Sequence, residues 1–174
     1  MPVFYTAGQQ LDKVYKHVNK IAVFADVQNI YYTTRQAYGK QFNYRKLWQQ
    51  LEQQGDIVSA YAYAIERGDN QQKKFQDVLT HLGFEVKLKP FIQRSDGTAK
   101  GDWDVGITID IMETAPQVDT IILLSGDGDF AILFDKVKQA YGVKTEAYGV
   151  PKLTAKALID ASTVFHPIEG ELLL

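Results

Sequence analysis

The sequence predicts an α/β fold with a mostly parallel sheet, and three observations carry that prediction. Short apolar runs recur along the chain, at Ile21 to Ala25, Ile57 to Ile65 and Ile121 to Leu124. Segments with apolar residues at helical spacing lie between them, such as Leu47, Trp48, Leu51 and then Phe130, Leu133, Phe134, Val137. The run Ile121 to Leu124 has no polar position at all, the pattern of a strand covered on both faces. Strands that alternate with helices in this way build parallel sheets flanked by helices.

In chain order, residues 1–19 are largely polar, with Leu11, Val14, Tyr15 and Val18 at helical spacing, so a helical extension is expected ahead of a domain over residues 20–168. The first strand, Ile21 to Ala25, ends at Asp26, and a loop and helix follow through Tyr38. Asn43 is placed to cap a second helix over Tyr44–Gln53. Gly55 and Asp56 end it, and the second strand runs from Ile57 to Ile65. A helix over Asn70–Leu82 closes at Gly83, before a third strand from Phe84 to Leu88. Pro90–Lys100 reads as a loop turning at Ser95, Asp96 and Gly97. Asp102–Thr114 is helical and stops before Pro116; the fourth strand is Thr120–Leu124, and the next helix spans 130–141. A fifth strand at Val143–Tyr148, a short helix at Ala155–Ile159, a last strand near Val164 and a tail over 169–174 complete the chain.

Composition excludes several classes of function. Of the 174 residues, 45% are hydrophobic and 23% charged, the balance of an ordinary globular domain, and the net charge of −2 means that any polyanion must bind a local patch. The absence of cysteine removes disulfides and thiolate metal sites. No basic-then-apolar leader and no run of transmembrane length is present, so the expected location is cytoplasmic, with no membrane partner.

The chemistry concentrates in aspartates. Asp26 follows the first strand, Asp127 and Asp129 follow the fourth, and Asp102 and Asp104 open the helix before it. Ligands of open α/β sheets bind at the carboxyl ends of strands. From Gly101 to Asp135 there is no basic residue, so the carboxylates would repel one another unless a cation or a proton intervened. Asp102 reads most simply as a helix cap, whereas Asp104 stays open between a cap and a metal ligand. Asp110 lies six residues further on, about 600° of helix rotation, and reads instead as a buried, hydrogen-bonded acid. Oxygen donors without histidine or cysteine suit Mg²⁺ or Mn²⁺ rather than zinc.

Competing motifs fail on residues. A calcium loop started at Asp127 needs glutamate twelfth and has Lys138. No Gly-Lys-Ser/Thr or dinucleotide glycine motif follows a strand, and none of His17, His81 and His166 has a metal-type histidine neighbour. No histidine can be placed to serve Ser125 in a hydrolase triad. A haloacid-dehalogenase-like phosphatase would want its nucleophilic aspartate directly after the strand, where Ser125 and Gly126 stand, and a lysine late in the chain.

Three segments together resemble the motifs of NYN domains, in particular the bacterial LabA-like branch of the PIN-like metallonucleases. They are Asp26 to Asn29 after the first strand, Lys100 to Val105 at a helix start, and Ser125 to Phe130 after the fourth strand. The resemblance spans about Lys20 to Pro167. It implies a Rossmann-like three-layer, PIN-like fold with central strand order 3-2-1-4-5 and a Mg²⁺- or Mn²⁺-dependent ribonuclease site. Asp26, Asp104, Asp127 and Asp129 would form the acidic set, the first three as metal ligands, with Asn29, Ser125 and Lys100 in support.

An RNA path is sought nearby. Between Val27 and Leu51 there is no acidic residue, while Arg35, Lys40, Arg45 and Lys46 alternate with Tyr31, Tyr32, Tyr38, Phe42, Tyr44 and Trp48. Most of these aromatics fit a core equally well. Tyr31 and Tyr32 are adjacent, so at most one easily faces inward. Tyr32, Arg35 and Lys100 are the expected nucleic-acid contacts, with Arg94 in the second loop as a further candidate. The expected reaction is phosphodiester hydrolysis of single-stranded or structured RNA. A non-catalytic module binding RNA, nucleotide or protein through the same cleft is the rival, and a homodimer is compatible with either.

Overall fold

The computed structural model describes residues 17–90 and 102–174, together with the backbone of 92–93 and 99–100. The expected helix of Leu11, Val14 and Tyr15, the turn at Ser95 to Gly97 and Arg94 lie outside the described residues. Six strands form one parallel sheet: β1 (Lys20–Asp26), β2 (Asp56–Glu66), β3 (Glu85–Pro90), β4 (Thr120–Leu124), β5 (Lys144–Gly149) and β6 (Val164–Pro167). Their order is 3-2-1-4-5-6, which is the expected central order extended by one strand. The helices are α1 (Val27–Tyr38), α2 (Tyr44–Glu52), α3 (Asn70–Leu82), α4 (Asp104–Thr114), α5 (Ala131–Tyr141) and α6 (Lys156–Ala161).

The two apolar layers follow from the alternation of side chains along buried strands. Ile21, Val23 and Ala25 of β1 join Ile122 and Leu124 of β4 under α1, α2 and α3. Ala22 and Phe24, with Ile121 and Leu123, point the other way, into the layer of α4, α5 and α6. A central strand must therefore be apolar at every position, which is why β1 and β4 read as unbroken runs. Among the described residues, no helix is long and apolar enough to cross a membrane.

Topology then places the site. From β1 the chain winds outward through β2 and β3, returns past β1 to β4, and winds the other way through β5 and β6. The winding reverses between β1 and β4, and a crevice opens at the carboxyl ends of strands at such a switch. Ala25 pairs with Leu124, so Asp26 and Ser125 leave the sheet side by side.

Three details differ from the sequence reading. Within Pro90–Lys100, Ile92–Gln93 and Ala99–Lys100 pair as a short antiparallel ladder. Helix α4 starts at Asp104 rather than Asp102, because Asp102 spends its carboxylate on the Asp104 amide at 3.2 Å. The segment expected as a tail packs back on the domain: Leu172 is buried, Asn43 N donates to Leu172 O at 2.7 Å, and Phe42 bridges Leu173. Six residues carry too little periodicity to reveal that docking.

Candidate functional site

Asp26 ends β1 and at once caps α1, its Oδ1 accepting from Asn29 N at 3.4 Å. Its Oδ2 accepts from the buried Ser125 hydroxyl at 3.1 Å, and Ser125 Oγ in turn accepts from Asp127 N at 3.2 Å. Asn29 closes a second link, its Oδ1 accepting from Gly126 N at 2.9 Å. Two loops that are 97 residues apart in sequence are thus locked at the switch point by three side chains, those of Asp26, Asn29 and Ser125.

The loop after β4 is also held from outside. A Cβ on Gly126 would meet Leu153 O at 2.6 Å, and one on Gly128 would meet Ala155 Cβ at 2.8 Å. Ala155 N donates to Gly126 O at 3.0 Å. These glycines are needed because the segment 153–155 lies directly against their backbone. That brace is not visible in the sequence: the Gly-Asp-Gly spacing signals a close approach, but not which segment makes it.

Within this frame three carboxylates converge. Asp104 at the start of α4, Asp127 and Asp129 each offer an oxygen within 4.8 Å of the others. Asp127 Oδ1 accepts from Asp129 N at 2.9 Å, which fixes the turn. Asp104 is delivered by Trp103, whose indole Nε1 donates to Ala64 O of β2 at 2.9 Å. The expected ligand set was Asp26, Asp104 and Asp127. Asp26 leaves the same edge of the sheet and is not in this group of three; its two oxygens accept from Asn29 N and Ser125 Oγ. A shallow cavity of about 200 Å³, lined by Asp104, Val105, Thr108, Ile109, Asp129 and Phe130, opens beside the acids.

The electrostatics match crowded carboxylates. Burial pushes Asp104 up to about 7, helped by the neighbouring Asp127 carboxylate and by the charges of Asp102 and Asp26. Burial also raises Asp26, to about 6, against the Asn29 amide and the Ser125 hydroxyl, which favour its charged form. Among the described residues none of Asp104, Asp127 and Asp129 is in a salt bridge. An all-oxygen donor set of this kind, short of positive charge, fits a divalent hard cation. Asp110, expected to be off this face, accepts from Tyr63 OH at 2.7 Å and Lys87 Nζ at 2.8 Å.

The expected nucleic-acid residues separate. Tyr31 and Tyr32 are both exposed, at 39% and 48%, and Arg35 is exposed beside them. Phe42 and Tyr44 are core, and Lys46 pairs with Glu171 at 3.3 Å. The Lys100 side chain lies outside the described residues. Sequence reading missed Arg67, which leaves the end of β2 and donates to Tyr32 OH at 3.0 Å.

Comparisons with known proteins agree with this geometry. The NYN domain model matches residues 20–169. The low amplitude and bright protein LabA of Synechococcus elongatus is 34% identical over 133 residues, covering 71% of each chain. The crystal structure of a protein of unknown function from Vibrio parahaemolyticus has a TM-score of 0.86 at 52% identity, over 91% of this chain and 98% of that one. With a six-stranded parallel sheet and an acidic cluster at its switch point, the chain belongs to the NYN domain family.

Proposed function

We propose that this protein is a Mg²⁺- or Mn²⁺-dependent ribonuclease that hydrolyses RNA phosphodiester bonds at the carboxyl edge of the sheet. The observation that carries the reading is the approach of Asp104, Asp127 and Asp129 to within 4.8 Å without a paired cation among the described residues. Membership of the NYN family supports phosphodiester chemistry over other uses of such a site.

Asp104, Asp127 and Asp129 are the residues that would hold the ion. When bound, a divalent ion acidifies water and stabilises charge on a phosphoryl centre in transition. Asp26 acts through Ser125, whose hydroxyl donates to Asp26 and accepts the Asp127 amide, so it orients the loop that carries two of the ligands. Asn29 holds the same loop through Gly126. The exposed Arg35 and Tyr32, with Lys100, are proposed to keep the RNA at an otherwise repulsive cleft. No side-chain nucleophile is required, and the position directly after β4, where a phosphatase would carry an aspartate, is a serine already hydrogen-bonded to Asp26.

The test is cleavage of a labelled single-stranded RNA with Mg²⁺ or Mn²⁺, compared with EDTA and with Asp127→Asn. The expected result is metal-dependent cleavage that the variant abolishes. Cleavage that survives in EDTA or in Asp127→Asn overturns the site. Binding of metal and RNA with no cleavage leaves a regulatory module using the same cleft.

A further inference from the structure

The surface of α1, the helix that Asp26 caps, carries a second, differently built feature. Tyr31 and Tyr32 are both exposed and meet edge to face, with ring centroids 5.4 Å apart. Each phenol is held by an arginine: Arg35 Nη1 donates to Tyr31 OH at 2.5 Å, and Arg67 Nη2 donates to Tyr32 OH at 3.0 Å. Arg35 also lies 5.8 Å from the Tyr31 ring centroid. Neither guanidinium is in a salt bridge with a carboxylate among the described residues.

The arrangement is organised on both sides. Ile30 and Thr34 are the buried positions of this stretch of α1, so Tyr31 and Arg35, one turn apart, necessarily share an outer face. Arg67 comes from another element, and its own amide is anchored on Gln72 Oε1 at 2.6 Å. Of the acids nearest to it in sequence, Asp69 is spent capping α3 through Gln72 N at 2.7 Å, and Glu66 is exposed.

We propose that Tyr31, Tyr32, Arg35 and Arg67 form a stacking platform for single-stranded polynucleotide, which fixes the substrate of the ribonuclease site as unpaired rather than duplex RNA. This rests on the reading of the site given above and narrows it. Exposed rings offer faces to bases only when those bases are unpaired, because a duplex hides them in its own stack. Guanidiniums tied to phenols rather than to carboxylates keep their full charge for phosphates, and they hold the rings in place before a base arrives. The platform begins five residues after Asp26, about 7.5 Å along the axis of α1, and Arg67 leaves the same edge of the sheet at the end of β2. A strand seated there lies along the carboxyl edge of the sheet, the edge from which Asp127 also leaves.

The experiment measures binding of a fluorescent 12-nucleotide oligouridylate to full-length Asp127→Asn protein with Mg²⁺, across a salt series, beside an RNA duplex of equal length. Tyr32→Ala should weaken the single strand roughly 5- to 150-fold at unchanged salt slope, since stacking releases no counterion, and Tyr32→Trp should restore it. Arg67→Ala should weaken it and flatten the log–log slope by about 0.7. Duplex binding should be weaker and indifferent to Tyr32→Ala. Wild-type affinity in both Ala variants, or equal losses for duplex and single strand, overturns the platform. Oligodeoxythymidylate separates RNA from single-stranded DNA as the ligand: binding as tight as RNA keeps the platform but overturns RNA as its specific ligand. Platform variants that lose binding in a protein whose wild type never cleaves RNA would sustain this inference and remove the nuclease reading. Cleavage by a wild type whose platform variants bind normally would do the reverse.

Discussion

Two sets of acids in this molecule are treated in opposite ways. Asp110 and Glu146 are each matched with positive charge: Lys87 sits 2.8 Å from Asp110, while His166 and Lys144 flank Glu146, Lys144 at 3.6 Å. For Glu146, burial alone would raise the carboxyl, but the hydrogen bond and charge of His166, then Lys144, bring it below its ordinary value. At the switch point, Asp104, Asp127 and Asp129 crowd together with no ion pair among the described residues, and Asp104 is raised to about 7. The fold can evidently neutralise a buried carboxylate where it needs to. Leaving Asp104 unmatched costs stability, and groups perturbed in this way cluster at functional sites.

The comparison can be broken most severely at the unmatched set. Asp104→Asn or Asp127→Asn should lower metal-dependent RNA cleavage by more than about 100-fold, since loss of an outer partner alone costs 10- to 100-fold at metal sites. Single-turnover rates at saturating Mn²⁺ measure this, and a rate near wild type would show that the acids are not ligands. At the matched set the loss should appear in stability instead. Lys87→Met leaves Asp110 with only the Tyr63 hydroxyl and should cost about 1–3 kcal/mol, with activity unchanged. Chemical denaturation checks it, and an unaltered midpoint would mean that the pair contributes nothing.

Ser125→Ala lies between the two. It removes the donor to Asp26 and the acceptor for the Asp127 amide, so metal affinity should fall about 10-fold while the protein stays folded. Calorimetric titration with Mn²⁺ would read it, and unchanged affinity would discard Asp26 and Ser125 as positioning groups.

The smallest effect sharpens the contrast by its sign. Asp104 has a raised folded pKa, so metal-free protein loses stability as pH rises from about 4 to about 7, and the penalty is complete above that. Asp104→Asn should therefore melt above wild type at pH 8, by about 2–4 °C for each kcal/mol relieved, and the gap should close at pH 4 or with Mg²⁺. Glu146 is depressed, so its contribution is present above the ordinary value of 4.5 and is lost as pH falls through the folded pKa. Glu146→Gln should melt below wild type at pH 8 and approach it in acid. Slopes of the same sign for the two variants would erase the distinction between matched and unmatched acids.

By itself the sequence determined the layer order of this protein and the chain positions of its acids. Unbroken runs such as Ile121 to Leu124 mean burial on both faces, and caps such as Asn43 and Gly83 mark helix ends, because both are short-range effects written within a few residues. The acidic motifs were equally legible, since each sits where an element begins or ends. Only the tertiary structure decided which acids meet. Asp26 is tied to Ser125, 99 residues away, and Asp129 joins Asp104 because the turn at Asp127 aims it there. The same holds for Lys87 beneath Asp110, Arg67 against Tyr32, and the 153–155 segment against Gly126. Such pairings join segments through the sheet's crossovers, and no local periodicity encodes which distant side chain the fold brings into contact.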